Sequence, residues 1–162
     1  MDKNELSIIK TAIINEIEGE KFYREAAQRT KNSETADSFL HLAEEEKRHQ
    51  DMLRDMAGQI AKDQNVILDG IIQGSPSPQI FAAMKSGDLE DALEISVFHI
   101  GILIEKASLD YYRQAAQTTT IESARSLYEH LADWEMHHLD EMEKVYDFIT
   151  EAWWDKQSYS PS

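Results

Sequence analysis

The stretch LAEEEKRHQDM, residues 42–52, carries a glutamate and a histidine three positions apart, Glu46 and His49, among apolar residues. A second stretch, LADWEMHHLDE at residues 131–141, repeats this arrangement with Glu135 and His138. Residues with this spacing share one face of a helix. Because charged side chains normally occupy the solvent face, a doubled Glu-x-x-His motif beside an apolar stripe needs an explanation.

The motif is part of an internal duplication. With a shift of 89 residues, the segments 16–30 and 105–119 agree at seven of fifteen positions. The segments 40–53 and 129–142 agree at six of fourteen. A single Glu-x-x-His is common on wet helix faces, whereas two copies at one fixed offset are a specific signal. The shift aligns Glu16 with Glu105, Tyr23 with Tyr112, Glu46 with Glu135, and His49 with His138.

The four aligned glutamates fall on apolar helical faces. Glu16, for example, lies on the face that carries Ile9, Ile13 and Tyr23. Burying an unpartnered carboxylate costs several kcal/mol. Two divalent cations would neutralise four carboxylates, and neutral imidazoles would add ligands without charge. One glutamate from each of two helices and Glu-x-x-His from the other two is the arrangement of di-metal carboxylate bundles. These ligands suit iron or manganese, and zinc can also bind.

Composition limits the other possibilities. The chain has 162 residues, a net charge of −15 and no cysteine. The charge argues against nucleic acid and anionic membranes as partners, and the missing cysteines exclude thiol catalysis and cysteine-ligated clusters. The first residues, MDKNELSIIK, have no signal-peptide pattern and no segment is apolar enough to span a membrane. We therefore expect a cytoplasmic protein.

Helical periodicity predicts four helices, at about 4–31, 33–57, 88–117 and 120–150. Ser33 and Asp88 are the expected N-caps, and Leu127, Leu131, Met142 and Phe148 are expected on the inner side of the fourth helix. Short connections make hairpins of the first and second pairs. The long, partly apolar stretch at 58–87 is predicted to be a crossover between helices 2 and 3. This order predicts one all-α domain over 1–162, a ferritin-like four-helix bundle that is internally duplicated, with halves at about 4–57 and 88–150.

Through EIEGEKFYREAA, LHLAEEEKRH, IEKASLDYYRQAA and LADWEMHH, the chain resembles the rubrerythrin-type branch of the ferritin-like di-iron proteins over nearly its whole length. The resemblance implies two bound iron ions and a reaction that reduces peroxide or oxidises ferrous iron with oxygen. It also implies that Glu46 and Glu135 are the first candidates to bridge. The implied ligands are Glu16, Glu46, His49, Glu105, Glu135 and His138.

Two departures from this family pattern shape the functional hypothesis. The four-cysteine rubredoxin domain of rubrerythrins proper is missing, so we expect a separate electron donor. Ser108, with Gly19 as its repeat mate, replaces an additional glutamate, which makes the six ligands closer to a bacterioferritin-like ferroxidase centre. We predict a di-iron oxidoreductase that reduces peroxide or oxygen or oxidises ferrous iron, and a homo-oligomer with a dimer favoured. The alternatives are a non-enzymatic metal-binding or iron-storage protein, and a structural bundle that holds only zinc.

The remaining candidates have two interpretations each. Tyr23 and Tyr112 are either core residues with satisfied hydroxyls, or catalytic residues that hydrogen bond a ligand or supply a proton or radical. Glu20 is an auxiliary ligand or a carboxylate at the core rim, and its charge leads us to expect the tighter ion on its side. The aromatic tail either docks on the bundle or forms a dimer contact. The tail residues are Trp153, Trp154 and Tyr159. We expect His137 at the surface, and His41 and His130 either at the surface or in contacts between helices.

Overall fold

The four predicted helices are present. The computed structural model describes residues 3–62 and 90–156. Within them α1 spans Lys3–Arg29, α2 Ser33–Ala61, α3 Glu90–Thr118 and α4 Glu122–Lys156. Helix α1 packs mainly on α2, and α3 on α4, with further contacts joining α1 to α3 and α2 to α4. The all-α, ferritin-like four-helix bundle is confirmed.

The predicted crossover and the third N-cap lie largely beyond this description. Residues 63–89, which include Asp88, are outside the described residues. The first residues assigned to the crossover are helical, because α2 continues through Gly58 to Ala61. Ile60 and Ala61 are buried, and this burial offsets the cost of glycine in a helix, about 1 kcal/mol. The predicted end at Ala57 is therefore wrong by one turn.

The N-cap of α2 is Asn32 rather than the predicted Ser33. The Asn32 side chain accepts a hydrogen bond from the backbone N–H of Thr35 at 3.0 Å, and its backbone is extended. Both residue types cap helices well, so two adjacent candidates left the start uncertain by one residue. The three-residue connection holds α1 and α2 together as a hairpin.

The core lies between the four helices and follows the predicted stripes, with one correction on α4. Leu131 and Met142 are buried and Leu127 packs against the core, but Phe148 is 73% exposed. Counting from Met142 in steps of three or four residues, the inner positions fall on Tyr146 and Ile149, both of which contact the core. None of the helices in the described ranges has the length and apolar character needed to cross a membrane.

Candidate metal centre

The core contains a polar centre built by all four helices. Helix α1 supplies one glutamate, α2 a glutamate and a histidine, α3 one glutamate, and α4 again a glutamate and a histidine. All six side chains are buried, as their apolar faces predicted. The residues and exposed fractions are Glu16 2%, Glu46 3%, His49 0%, Glu105 0%, Glu135 1% and His138 4%.

The six side chains form two overlapping groups. One group comprises Glu16, Glu46, His49 and Glu135, and the other Glu46, Glu105, Glu135 and His138. In each group one potential ligand atom per residue lies within 4.8 Å of the others. Glu46 and Glu135 belong to both, which is where bridging carboxylates would stand. The structure thus brings all six predicted residues together, and their role as ligands stays a prediction.

The buried polar atoms of this centre fit metal ligation. Five buried side-chain atoms have no hydrogen-bond partner among the described residues, and all five belong to the six candidates. Buried polar atoms are nearly always satisfied, so the four on Glu46, Glu105, Glu135 and His138 mark a place where metal ions would complete the coordination; His49 instead faces the carboxylates with Nδ1. The atoms are Glu46 Oε1, His49 Nε2, Glu105 Oε2, Glu135 Oε1 and His138 Nδ1.

Burial, charge and hydrogen bonding shift the pKa values of the four carboxyl groups of the metal-free centre in two opposite directions. Burial, and then the negative charges of Glu16 and Glu135, raises the pKa of Glu46 well above 4.5. Burial, and then Glu105 and Glu16, does the same for Glu135. Burial also acts to raise the pKa of Glu16 and of Glu105, but hydrogen bonds, first from Glu46 and from Glu135 respectively, leave both pKa values lowered. In the metal-free centre the carboxyl groups of Glu46 and Glu135 therefore hold a proton more strongly than those of Glu16 and Glu105.

Comparison with known proteins identifies the family of this chain. A family model for rubrerythrin matches residues 7–146.

The chain belongs to the rubrerythrin family.

A solved structure of a hypothetical protein from Pyrococcus furiosus (Pfu-1136390-001) has the same fold, with a TM-score of 0.75. It is 22% identical, and the alignment covers 93% of this chain and 92% of that one. No curated protein sequence matches the chain.

In this rubrerythrin-family chain the two predicted tyrosines contact the centre directly. The Tyr23 hydroxyl donates to Glu105 and the Tyr112 hydroxyl donates to Glu16. Each tyrosine thus reaches the glutamate of the other repeat half. Burial, and then the charge of the partner glutamate, raises both tyrosine pKa values well above 10. The phenols stay protonated and hold these two carboxylates in place.

The two histidines differ in their surroundings, which the ligand pattern did not reveal. His138 Nε2 is hydrogen bonded to Glu45, and His138 Nδ1 lies 3.6 Å from Glu105. Burial lowers the pKa of His138, but these carboxylates outweigh it and raise the pKa to about 9. His49 instead stacks on Trp134, with ring centroids 5.1 Å apart.

Glu20 does not join the centre. Its carboxylate accepts hydrogen bonds from Gln50 at 2.6 Å and from Arg24 at 3.0 Å, and it is in neither group of candidate ligands. This favours the core-rim interpretation.

Gly19 leaves room for the Glu46 carboxylate. A Cβ at position 19 would lie 3.1 Å from Glu46 Oε2. A larger residue at this position would press on a shared carboxylate.

A second buried polar cluster, unpredicted, lies on the other side of Tyr112. Glu5 is 2% exposed and accepts hydrogen bonds from Tyr128 at 2.5 Å and from Thr119 at 2.7 Å. The Tyr128 ring in turn stacks on Tyr112 at 6.4 Å. Since Glu5 precedes Ile9 by four residues, the apolar stripe of α1 already contained the signal for its burial.

The histidines predicted at the surface are there. His41, His130 and His137 are exposed, and the His41 imidazole lies 3.3 Å from Glu45. Trp153 and Trp154 lie in the last turn of α4, and their rings contact each other edge to face. Tyr159 lies outside the described residues, and the docking and dimer roles of the tail stay predictions.

Proposed function

We propose that this chain is a di-iron oxidoreductase that reduces peroxide or oxygen, or oxidises ferrous iron, at the buried centre. The observation that carries the proposal is the pair of overlapping carboxylate–histidine groups, which share Glu46 and Glu135. Two groups with two shared carboxylates suit two neighbouring ions rather than one. The proposed ligands are Glu16, Glu46, His49, Glu105, Glu135 and His138.

Iron is the proposed metal because of the chemistry that it supplies. The donor set of carboxylates and imidazoles would also accept manganese or zinc. Bound iron would supply the electrons that a peroxide or oxygen molecule takes up. Rubrerythrin-family membership supports this choice, and the zinc-only alternative would leave a centre without redox activity.

The surrounding residues position the ligands and control protons. Glu46 and Glu135 give up their protons when cations enter, which matches positive charge with negative. Tyr23 and Tyr112 hold the two outer glutamates, and their protonated hydroxyls are proton or hydrogen-atom donors in the core. The near-complete burial of all six ligands keeps bulk water from the reaction. We also propose that a separate molecule donates the electrons and that the protein is a dimer.

A turnover assay tests the function. Metal-free protein is loaded with ferrous iron without oxygen, and consumption of peroxide or oxygen is followed with an excess of a reductant. We expect many oxidant molecules to be consumed per chain. His138→Ala should abolish turnover, whereas its exposed neighbour His137→Ala should not. A single stoichiometric oxidation, without further turnover, would favour iron storage instead.

The tyrosines are tested by their effect at constant metal content. Tyr112→Phe and Tyr23→Phe each remove one hydrogen bond to a ligand and the proton that it carries. General acid catalysis contributes about 10²–10⁴-fold, so turnover should fall by at least about tenfold while two ions stay bound. Unchanged turnover in both variants would assign the tyrosines to packing alone.

A further inference from the structure

The six candidate ligands are equivalent in the two repeat halves, so any difference between the two metal positions must come from their neighbours. The repeat places Glu45 and Trp134 at matching positions, each immediately before a ligand glutamate. The structure puts each of them against a histidine of the opposite half. Glu45 of α2 contacts His138 of α4, and Trp134 of α4 contacts His49 of α2.

His138 has the partner that a metal-binding histidine usually has. Its Nε2 is bonded to Glu45, while its Nδ1 points towards the centre, 3.8 Å from Glu46, 3.6 Å from Glu105 and 3.9 Å from Glu135. An Nε2–H that donates to a carboxylate leaves the lone pair on Nδ1 and makes it more basic. Glu45 thereby fixes both the ring orientation and the tautomer for ligation.

His49 lacks such a partner. Its Nδ1 also faces the centre, 3.3 Å from Glu16 and 3.1 Å from Glu135. Its Nε2, however, is buried without a hydrogen bond to any described residue. The Trp134 ring lies over the imidazole at 27° and 5.1 Å, and an indole offers no acceptor oxygen. On this outer side the His49 ring is therefore held by packing against Trp134, with no carboxylate to fix its tautomer.

We propose that the two metal positions are unequal, with Glu45 as the positioning residue that makes the His138 side the tighter one. The proposal rests on the two-metal centre proposed above. Loss of an outer hydrogen-bond partner of a metal ligand typically costs 10–100-fold in affinity, so the two dissociation constants, corrected for the proton that His138 loses on binding, should differ by about this factor. With one equivalent of metal, the ion occupies the His138 side, and the ion on the His49 side binds second and exchanges first.

This order is the reverse of the one expected from Glu20. The sequence suggested that Glu20 would add negative charge beside Glu16 and strengthen that side. Instead its carboxylate is bound by Gln50 and by Arg24, which also carries a positive charge. Glu45, rather than Glu20, is the carboxylate outside the six candidate ligands that bonds a histidine of the centre.

Anaerobic titration of the metal-free protein with cobalt(II), followed by visible absorption and a competing chelator, measures both dissociation constants without redox chemistry. We expect two constants about 10–100-fold apart. Glu45→Ala should weaken the tighter constant by a similar factor and leave the other unchanged. Glu45→Gln, which keeps an acceptor oxygen, should weaken it less. Glu129→Ala, which removes an exposed glutamate on α4, is the control for charge and should change neither constant.

The repeat also provides a gain-of-affinity variant. Trp134→Glu puts a carboxylate behind His49, as Glu45 stands behind His138, and should tighten the weaker constant, whereas Trp134→Phe should not. Equal constants that Glu45→Ala leaves unchanged would overturn the proposal while two ions still bind. Binding of fewer than two ions by the unaltered protein would instead overturn the two-metal centre itself.

Discussion

Replacing Glu135 by glutamine should stabilise the metal-free protein at neutral pH. Burial and the neighbouring carboxylates raise the pKa of Glu135 well above its ordinary value of 4.5. The folded protein therefore keeps a proton that the unfolded chain loses. The stability linked to this proton is complete below about pH 4.5 and is lost as the pH rises through the folded-state pKa. Glutamine has nearly the shape of the protonated acid but no proton to lose.

The upper limit of this effect follows from the interval between the ordinary pKa of glutamate and the pH of the measurement. One pH unit is worth about 1.36 kcal/mol, so the roughly 2.5 units between 4.5 and pH 7 limit the cost to about 3.4 kcal/mol. We expect Glu135→Gln to raise the free energy of unfolding of the metal-free protein at pH 7, by up to about 3 kcal/mol. Each kcal/mol raises the Tm by about 2–4 °C in a chain of this length.

Urea unfolding of the metal-free proteins, followed by circular dichroism at about pH 4.5 and pH 7, measures this effect. Glu129→Gln, the same change at an exposed position of α4, is the matched control. The gain should appear at pH 7, nearly vanish at pH 4.5, and be missing in the control. A variant that is less stable at pH 7, or equally stabilised at both pH values, would show that Glu135 is not held protonated in the folded metal-free state.

Three further predictions concern metal and packing. Removal of metal by a chelator should lower the Tm. The difference in Tm between metal-loaded and metal-free protein should widen from about pH 5 to pH 8, because protons that stabilise the metal-free fold are lost over this range. A difference that stays constant with pH would contradict this. Metal binding near pH 7 should release protons, because the raised pKa values of Glu46, Glu135 and His138 favour their protonated forms in the metal-free centre; calorimetry in buffers of different ionisation enthalpy counts the protons, and a count of zero would contradict this. Tyr128→Phe should cost about 1–3 kcal/mol, because Glu5 loses one of its two buried donors; chemical denaturation measures the loss, and an unchanged stability would be evidence against it.

The sequence predicted the helices and the gathering of the centre because both follow from periodicity. Glu16 and Glu105 stand on apolar stripes, and the duplication ties each to a Glu-x-x-His on the next helix. The apolar stripe identifies the buried face of each helix from the sequence alone. The N-cap of α2 was assigned wrongly because Asn32 and Ser33 are both good capping residues. Phe148 was assigned wrongly to the core because the helical spacing from Met142 was not counted strictly.

The surroundings of the ligands were harder to predict because they depend on how two helices are placed against each other. The contact of Glu45 with His138 joins α2 and α4, which are distant in sequence. Glu20 shows the same limit, since its charge was visible in the sequence but its partners Gln50 and Arg24 were not. Burial of Glu5, by contrast, was predictable from its place in the α1 stripe.

The central claim is that the buried carboxylates and histidines bind two metal ions per chain. Anaerobic titration of the metal-free protein with iron(II), with the bound metal counted by elemental analysis, tests this claim most directly. The account predicts saturation near two equivalents, and loss of at least one equivalent in His138→Ala but none in His137→Ala. Saturation at one equivalent, or no binding at all, would contradict it.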